Sequence, residues 1–221
     1  AGIRSELIFV FIDTLVKLEI MNINIPRDEE ERLRAEIEKR DDFEALRIRR
    51  YLAMPDLSRT PGSPLYELVE RIRAIPDFKN YDVIDVPEIM GTDIVFDLFN
   101  FPEDHPARSS SDSYFIDDTH VLRTHTTVMW YYWLKEENVR KQIEAGKAVG
   151  ALSYGKVYRK DEIDRKHMNV FHQIDGWYLV PKKEKVITID DLKKVLSDIA
   201  KASFGPDVKY RFNTDTFPYT D

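Results

Sequence analysis

Residues 154–176 read Y-G-K-V-Y-R-K-D-E-I-D-R-K-H-M-N-V-F-H-Q-I-D-G, and this stretch decides the fold. Apolar and polar residues alternate loosely on both sides of a charged middle, residues 159–166. The pattern is typical of two strands joined by a charged loop, because the middle is too polar to lie in a core. Alternate side chains of a strand point to one face, so a strand pair can hold an arginine and an aromatic ring together. The stretch therefore predicts a cradle for a nucleotide.

Composition limits the class of protein. The 221 residues are enough for one sizeable domain, and 43% hydrophobic with 33% charged residues is ordinary for a globular protein. A formal net charge of -7 argues against a generally basic surface, so any contact with nucleic acid must be local or shared with a partner. The absence of cysteine excludes disulfides and thiolate metal sites. Charges interrupt the apolar run over residues 7–21, which therefore predicts neither a signal peptide nor a membrane span. We expect a cytoplasmic protein with no membrane partner.

The first quarter of the sequence predicts helices. Apolar residues recur at helical spacing over residues 6–20. Residues 27–52 are dense in charge, which favours a solvated helix with ion pairs four residues apart. The alternative for this segment is an arm that contacts RNA through Arg47, Arg49 and Arg50. Prolines and a glycine make residues 54–64 the best candidate linker. We therefore expect a helical N-terminal region over residues 1–61 and a main module over residues 62–221.

The rest of the chain mixes helices and strands. We expect an amphipathic helix over residues 65–75, a short strand over residues 81–87 and an aromatic-rich helix over residues 128–145. A last helix begins near Asp190, and residues 208–212 predict a strand. These elements show no regular alternation of strand and helix, so the fold class is α+β with a largely antiparallel sheet flanked by helices.

Several common sites are excluded or disfavoured by their motifs. Residues 150–157 resemble a phosphate-binding P-loop, but Val157 stands where that motif needs a serine or threonine for Mg²⁺. No G-x-G-x-x-G occurs among the eight glycines. The five histidines include no H-x3-H or H-E-x-x-H, so a metal centre built from them is disfavoured. The serine run over residues 109–111 lacks a nucleophile elbow.

Seven short motifs in order carry a resemblance to a known family. They are V-P-E at 86–88, H-P-A-R at 105–108, L-R-T-H-T at 122–126, G-K-V-Y-R at 155–159 with Asp161, H-M-N-V-F at 167–171, H-Q at 172–173, and R-F at 211–212 leading to F-P at 217–218. With these motifs the chain resembles the α subunit of phenylalanyl-tRNA synthetases, which are class II aminoacyl-tRNA synthetases. The resemblance covers roughly residues 65–221 and implies a class II synthetase fold.

The resemblance also implies a reaction and an ATP site. Such enzymes join the phenylalanine carboxylate to the α-phosphorus of ATP, which carries Mg²⁺, and release pyrophosphate. An arginine suits this chemistry because it is always charged and can bind two oxygens at once. By the match to the second class motif, Arg159 and Asp161 belong to the ATP site, with Arg159 on the α-phosphate as the catalytic residue. His167 would bind the outer phosphates and Phe171 would stack on adenine. The alternative for Arg159 is a surface residue paired with Asp161 or Asp164.

By the same resemblance, the amino acid is held by side chains from two motifs. These are His125, Thr127, Gln173 and Asp175, with Phe217 and Tyr219 packing against the substrate ring. Thr127 replaces the usual serine, and Asp175 replaces the usual glutamate and shortens the carboxylate arm by one methylene. Tyr219 adds a hydroxyl that needs a partner if it points into an apolar pocket.

The implied partners are phenylalanine, tRNA(Phe) and a synthetase β subunit in a heterotetramer. A self-dimer through the first motif region, residues 83–90, is the alternative assembly. The family continues past the F-P motif into a third motif with a second ATP-binding arginine, and no such motif follows in these residues. The expectation is a truncated α subunit that is poorly active by itself. The competing hypothesis is a non-catalytic relative that binds nucleotide, amino acid or a protein partner.

Overall fold

The computed structural model describes residues 20–213. Its strands are β1 (Asn22–Asn24), β2 (Asp82–Asp85), β3 (Ile89–Gly91), β4 (His120–Leu122), β5 (Val149–Tyr158) and β6 (Val170–Leu179). Its α-helices are α1 (Asp28–Ile37), α2 (Phe43–Leu52), α3 (Pro64–Arg73), α4 (Thr92–Val95), α5 (Met129–Trp133), α6 (Glu137–Glu144) and α7 (Ile189–Phe204). Short 3₁₀ helices lie at Pro76–Phe78, Asp97–Phe99 and Pro106–Arg108. The helix expected over residues 6–20 falls almost entirely outside the described residues.

The long hairpin is the centre of the main sheet. Strands β5 and β6 pair antiparallel from Val149↔Leu179 to Tyr158↔Val170, and the charged loop joins them. The predicted strand-loop-strand arrangement is therefore confirmed. The four-stranded sheet has the order β1-β2-β5-β6, and β3 with β4 forms a second, two-stranded sheet.

The α+β class is confirmed, and the sheet is more mixed than predicted. Strand β1 runs parallel to β2, and β2 runs parallel to β5, although the β2–β5 contact spans only Asp82↔Ala151 and Val83↔Leu152. The helices between β2 and β5 permit this parallel return, since a parallel pair needs a long crossover connection. The antiparallel part of the main sheet is the hairpin alone.

The charge-dense segment over residues 27–52 is not one solvated helix. It divides at Asp42, whose side chain caps α2 by accepting a hydrogen bond from Ala45 N at 3.0 Å. The sparse apolar residues of α1 and α2 are buried in one cluster with β3, β4 and β5, namely Leu33, Ile37, Ala45, Ile48 and Leu52. Ion pairs four residues apart do form, for example between Arg32 and Glu36 at 2.7 Å. Burial of the apolar stripe, rather than surface charge pairing alone, holds this pair of helices.

The segment expected to be a linker is anchored to the sheet. Arg59 donates a hydrogen bond to Tyr154 O at 2.9 Å and pairs with Asp85 at 3.2 Å. Ser58 is buried. The division of the chain at residues 61 and 62 stays a prediction, and α1 and α2 share their core with the sheet that follows it.

Two further sequence expectations are wrong. Residues 128–145 form two helices, because Trp133 and Val139 are both fully buried in the same core. Six residues apart on one straight helix they would point roughly 120° away from each other, so the chain turns between them. Residues 208–212 are not a strand, because none of the described strands pairs with them, and Val208 N instead donates to Gly205 O in a turn.

Helices cover both sides of the hairpin. Apolar residues of α4, α5 and the Asp97–Phe99 turn pack on one side. Helix α3, the Pro76–Phe78 turn and α7 pack on the other. Helices α3 and α7 and the strand β2 thus match the predicted elements at residues 65–75, 190 onward and 81–87. Within residues 20–213, no helix has the length and apolarity needed to cross a membrane.

The first motif region, residues 83–90, is buried within the fold. From Val83 to Met90 every residue is buried except Asp85, which is half-buried. A dimer contact made by the side chains of residues 83–90 would need them at the surface, so the described structure speaks against that form of self-dimer.

Candidate active site

The register of the hairpin determines which side chains share a face. Ser153 lies opposite Asp175, Gly155 opposite Gln173, and Val157 opposite Phe171. Directly opposite residues of an antiparallel pair project to the same side, and alternate residues along a strand do so as well. We call the side that carries the odd-numbered residues 153–157 and 171–177 the front face, and the other side the back face. Three of the predicted site residues, Phe171, Gln173 and Asp175, therefore share the front face.

Arg159 lies at the edge of the front face, and its guanidinium is only partly used in contacts with the described residues. Its backbone N donates to Asn169 O at 3.0 Å, and its Nε donates to Thr124 O at 3.1 Å. Its Cζ lies 5.2 Å from the ring centroid of Phe171, a cation–π distance. The two terminal NH₂ groups have no hydrogen-bond or ion-pair partner within residues 20–213. The alternative in which Arg159 pairs with Asp161 or Asp164 is therefore wrong for this structure.

His125 presents a buried acceptor beside this cation. Its Nε2 lies 3.3 Å from Val95 O, and because a carbonyl can only accept, Nε2 carries the proton and Nδ1 does not. Nδ1 is buried and has no hydrogen-bond partner among the described residues. Burial of the ring, reinforced by the charge of Arg159, lowers the pKa of His125 to about 4. The ring is thus neutral at pH 7 and keeps its free lone pair.

The 125–127 segment is attached to β6 by one hydrogen bond from Thr127 to Asp175 and one from Thr126 to Gln173. Thr127 Oγ1 donates to Asp175 Oδ2 at 2.5 Å, and Gly176 N donates to Asp175 Oδ1 at 3.1 Å. Burial raises the pKa of Asp175, and these two bonds partly oppose that effect. Thr126 N donates to Gln173 Oε1 at 3.3 Å. This bond uses the amide oxygen of Gln173 and leaves its NH₂ group with two donors to offer.

The structure adds polar atoms that the motifs did not single out. Ser153 Oγ and Thr126 Oγ1 are both buried without a hydrogen-bond partner within the described part of the chain. Thr126 lies inside the motif that supplied its two neighbours, and Ser153 lies two residues before the glycine of G-K-V-Y-R. Strand alternation could have placed Ser153 on the face of Gln173 and Asp175, but only the register shows that it stands opposite Asp175.

Arg123 supports the site from within the sheet. It is 1% exposed, and its guanidinium donates to Lys156 O at 2.7 Å and to Val86 O at 2.7 Å. It therefore bridges β5 to the chain after β2, where the two strands no longer pair. Gly155 makes room for it, since a Cβ there would lie 2.4 Å from Arg123 Nη2. The arginine of R-T-H-T-T and the glycine of G-K-V-Y-R are thus structural partners.

Two predicted ATP contacts are not brought to Arg159. The His167 ring is exposed in the loop, and its Nδ1 lies 3.0 Å from Asp164 Oδ1. Backbone hydrogen bonds from Lys166 and His167 lower the pKa of Asp164. Asp161 is exposed, and its carbonyl accepts a hydrogen bond from Asn169 Nδ2 at 2.8 Å. The roles of Asp161 and His167 stay predictions, and Phe217 and Tyr219 lie outside the described residues.

The front face is therefore divided by charge. At one end are a free guanidinium and amide donors, from Arg159 and Gln173, which suit carboxylate or phosphate oxygens. Next to them are acceptors, from His125, Thr127 and Asp175, which suit a cationic group. Residues 20–213 contain no group of three or more histidines, aspartates or glutamates arranged to hold a metal ion. The arrangement suits a ligand with positive and negative groups close together.

Comparison with known families identifies the family of this chain. Residues 52–221 match the family described as tRNA synthetases class II core domain (F). The chain belongs to this family, and the resemblance found in the short motifs is confirmed.

The similar curated proteins are alpha subunits of phenylalanine–tRNA ligase. The one from Thermotoga neapolitana is 32% identical over 208 residues, which is 90% of this chain and 59% of that protein. The one from Moorella thermoacetica is 32% identical over 191 residues, or 85% of this chain and 53% of that protein. That from Caldicellulosiruptor saccharolyticus is 36% identical over 141 residues, or 64% of this chain and 38% of that protein. The chain thus spans about half the length of these relatives.

A solved structure of pyrrolysyl-tRNA synthetase from Desulfitobacterium hafniense is a more distant match. It has a TM-score of 0.49 and 19% sequence identity, with 79% of this chain and 55% of that chain covered.

Proposed function

We propose that the chain acts in ATP-dependent attachment of phenylalanine to tRNA(Phe) through a phenylalanyl-adenylate, as part of a phenylalanine–tRNA ligase alpha subunit. The observation that carries the proposal is the division of the front face. A guanidinium with free NH₂ groups lies beside buried acceptors that have no partner in the described chain. Family membership and relatives with this name support the same reaction class.

The acceptor end suits the ammonium group of an amino acid. Neutral His125 offers Nδ1, and Asp175 offers a carboxylate that Thr127 holds in place through a 2.5 Å hydrogen bond. A cation in this buried position would be attracted strongly, because the local dielectric constant is low. The amide NH₂ of Gln173 and the guanidinium of Arg159 then face the carboxylate of the same molecule.

The proposed chemical step needs charge neutralisation more than proton transfer. A carboxylate oxygen of phenylalanine attacks the α-phosphorus of ATP, and the bond from that phosphorus to the bridging oxygen breaks. Pyrophosphate leaves with the electron pair, and no proton moves because the carboxylate is already ionised. Arg159 would stabilise the charge on the α-phosphate oxygens, which two anionic reactants otherwise concentrate in one place. Mg²⁺ would arrive on the phosphates of ATP.

The nucleotide base and the outer phosphates have candidate positions as well. Phe171 shares the front face with Arg159 and offers a ring for adenine to stack on. His167 and Asp161 lie in the loop that follows Arg159, and we propose that they contact ATP when the loop closes over it. In the second step a ribose hydroxyl at the 3′ end of tRNA(Phe) would attack the carbonyl carbon, and AMP would leave. A β subunit in a heterotetramer is the partner we propose for that step.

The test is phenylalanine-dependent exchange of pyrophosphate into ATP, measured for the chain alone and with a phenylalanine–tRNA ligase β subunit. Exchange is expected to be weak for the chain alone and stronger with the β subunit, and Arg159→Ala should reduce it roughly 100- to 1000-fold. The matched control is Arg165→Ala, an exposed arginine of the same loop, which should keep most of the activity. Exchange that survives Arg159→Ala unchanged would refute the assigned role. Phenylalanine binding without any exchange would instead favour the non-catalytic alternative.

A further inference from the structure

The hydroxyl of Ser153 is buried and forms no hydrogen bond within residues 20–213. It lies in the middle of β5 with 0% of its surface exposed, and it stands directly opposite Asp175. Its Oγ has no hydrogen-bond partner among the described residues. A buried hydroxyl left without a partner destabilises the folded state, since it has given up its bonds to water.

The other buried serines of residues 20–213 are each satisfied. Ser58 Oγ donates to Asp56 Oδ1 at 2.5 Å, and Ser113 Oγ donates to Ala107 O at 2.6 Å. Ser63 Oγ accepts from Leu65 N at 3.2 Å and caps α3. Ser153 therefore differs from the rest in having no structural role for its hydroxyl.

The surroundings of Ser153 indicate what its hydroxyl would bind. Cβ atoms of directly opposite residues in an antiparallel pair lie about 5 Å apart, so the Asp175 side chain lies beside Ser153 on the front face. That carboxylate repels an anion and attracts a cation. A serine hydroxyl can turn its proton toward the carboxylate and present its lone pairs to a donor.

We infer that Ser153 is a further binding residue of the amino-acid pocket, which accepts a hydrogen bond from the ligand's ammonium group beside Asp175. The inference rests on the proposed function, because it takes phenylalanine as the ligand. It extends the ammonium site from the 125–127 segment and β6 onto β5. Asp175 has one methylene fewer than the usual glutamate, and Ser153 supplies an additional acceptor from the opposite strand.

The experiment is a binding titration of the whole chain, followed by the fluorescence of Trp130 and Trp177, whose rings pack 6.0 Å apart at the front face. The probes are phenylalanine, phenylalaninamide, which keeps the ammonium group, and 3-phenylpropionate, which lacks it. Ser153→Ala should weaken binding of phenylalanine and phenylalaninamide roughly ten- to a hundredfold, since the lost bond is to a charged group. Binding of 3-phenylpropionate should not change.

Ser113→Ala is the matched control for loss of a buried hydroxyl. It should lower the thermal midpoint, because Ala107 O loses its donor, and should leave phenylalanine binding unchanged. Ser153→Ala should leave the midpoint unchanged or raise it. Wild-type affinity for phenylalanine in Ser153→Ala would overturn this inference alone, and so would equal weakening for 3-phenylpropionate. If the unaltered chain binds neither phenylalanine nor phenylalaninamide, it is the proposed function that fails.

Discussion

The front and back faces of the hairpin are built from the same two strands and satisfy their polar groups differently. On the back face, Lys156 Nζ donates to Met54 O at 2.6 Å and pairs with Glu88 at 3.2 Å, and His172 Nε2 accepts from Leu57 N at 3.0 Å. On the front side, Ser153 Oγ and His125 Nδ1 are buried without partners in the described chain, whereas the one such group of the back face, Tyr158 Oη, lies within an apolar cluster. The unpartnered groups of the front face share that face with Asp175 and Arg159, so it is the face proposed above for the ligand.

The back face should therefore carry stability, and Lys156→Ala tests this with the largest expected effect. The substitution removes the cation from a buried pair with Glu88 and strips donors from the carbonyls at the end of α2. Breaking a buried pair by removing one partner costs about 4 kcal/mol of unfolding free energy. Denaturant unfolding measures the change, and exposed Lys209→Ala is the control. A loss below about 1 kcal/mol would mean that Arg34, 2.8 Å from Glu88, compensates for the lysine.

Leu152→Ala tests apolar packing on the back face. Leu152 is 3% exposed and packs with Ile72 and Phe78. The substitution should lower the free energy of unfolding by about 3 kcal/mol, because it leaves a cavity. The affinity for phenylalanine should stay the same. Leu196→Ala, at a residue 43% exposed on α7, is the matched control and should cost much less. A large loss of ligand affinity in Leu152→Ala would show that the two faces are not independent.

His125→Gln tests the front face through pH. The folded state protonates His125 near pH 4 and the unfolded state near 6.5, so the unfolded state binds more protons between these values. Stability from this group is therefore lost as the pH falls through that window. Between pH 7 and pH 4.5 the unaltered chain should lose about 2 kcal/mol more than His125→Gln. Denaturant unfolding at the two pH values measures this difference. An equal loss of stability in the unaltered chain and in His125→Gln would contradict the burial of a neutral ring.

Asp175→Asn should give the smallest change in stability, and with the opposite sign. Burial raises the pKa of Asp175 above its usual 3.8, so the folded state binds more protons and stability falls as the pH rises past that value. At pH 7 the asparagine variant should be slightly more stable, since Thr127 can still donate to the amide oxygen. Its advantage should shrink below pH 3.8, where the carboxyl is protonated in both states.

The same variant should bind phenylalanine more weakly, because the pocket loses its negative charge. Thermal unfolding at several pH values and the fluorescence titration measure the two effects. A variant that is less stable at pH 7 would show that the hydrogen bonds of Asp175 outweigh the cost of its burial. Gain in stability with loss of binding would show that the front face is arranged for a ligand.

Sequence reasoning succeeded where the signal was local. The loose alternation in residues 154–176 predicted the hairpin, and proline and capping patterns predicted α3 and α7. The motifs predicted His125, Thr127, Gln173 and Asp175 as site residues, and hydrogen bonds join Thr127 to Asp175 and Thr126 to Gln173. Their role in binding stays a prediction. Sequence reasoning failed for residues 27–52 and 128–145, because the apolar residues that bend these segments are buried against strands distant in the sequence.

The sequence by itself determined the hairpin, the α+β class and the family, because a two-residue alternation and short ordered motifs are read without knowing the neighbours. Only the tertiary structure decided that, within residues 20–213, the NH₂ groups of Arg159 and the hydroxyl of Ser153 have no partner, and that Arg123 is a buried brace. The physical reason is that burial and hydrogen-bond satisfaction depend on which groups other parts of the chain bring within reach. The sequence gives the type of each side chain, and the fold determines which of its donors and acceptors remain unpaired and able to bind a ligand.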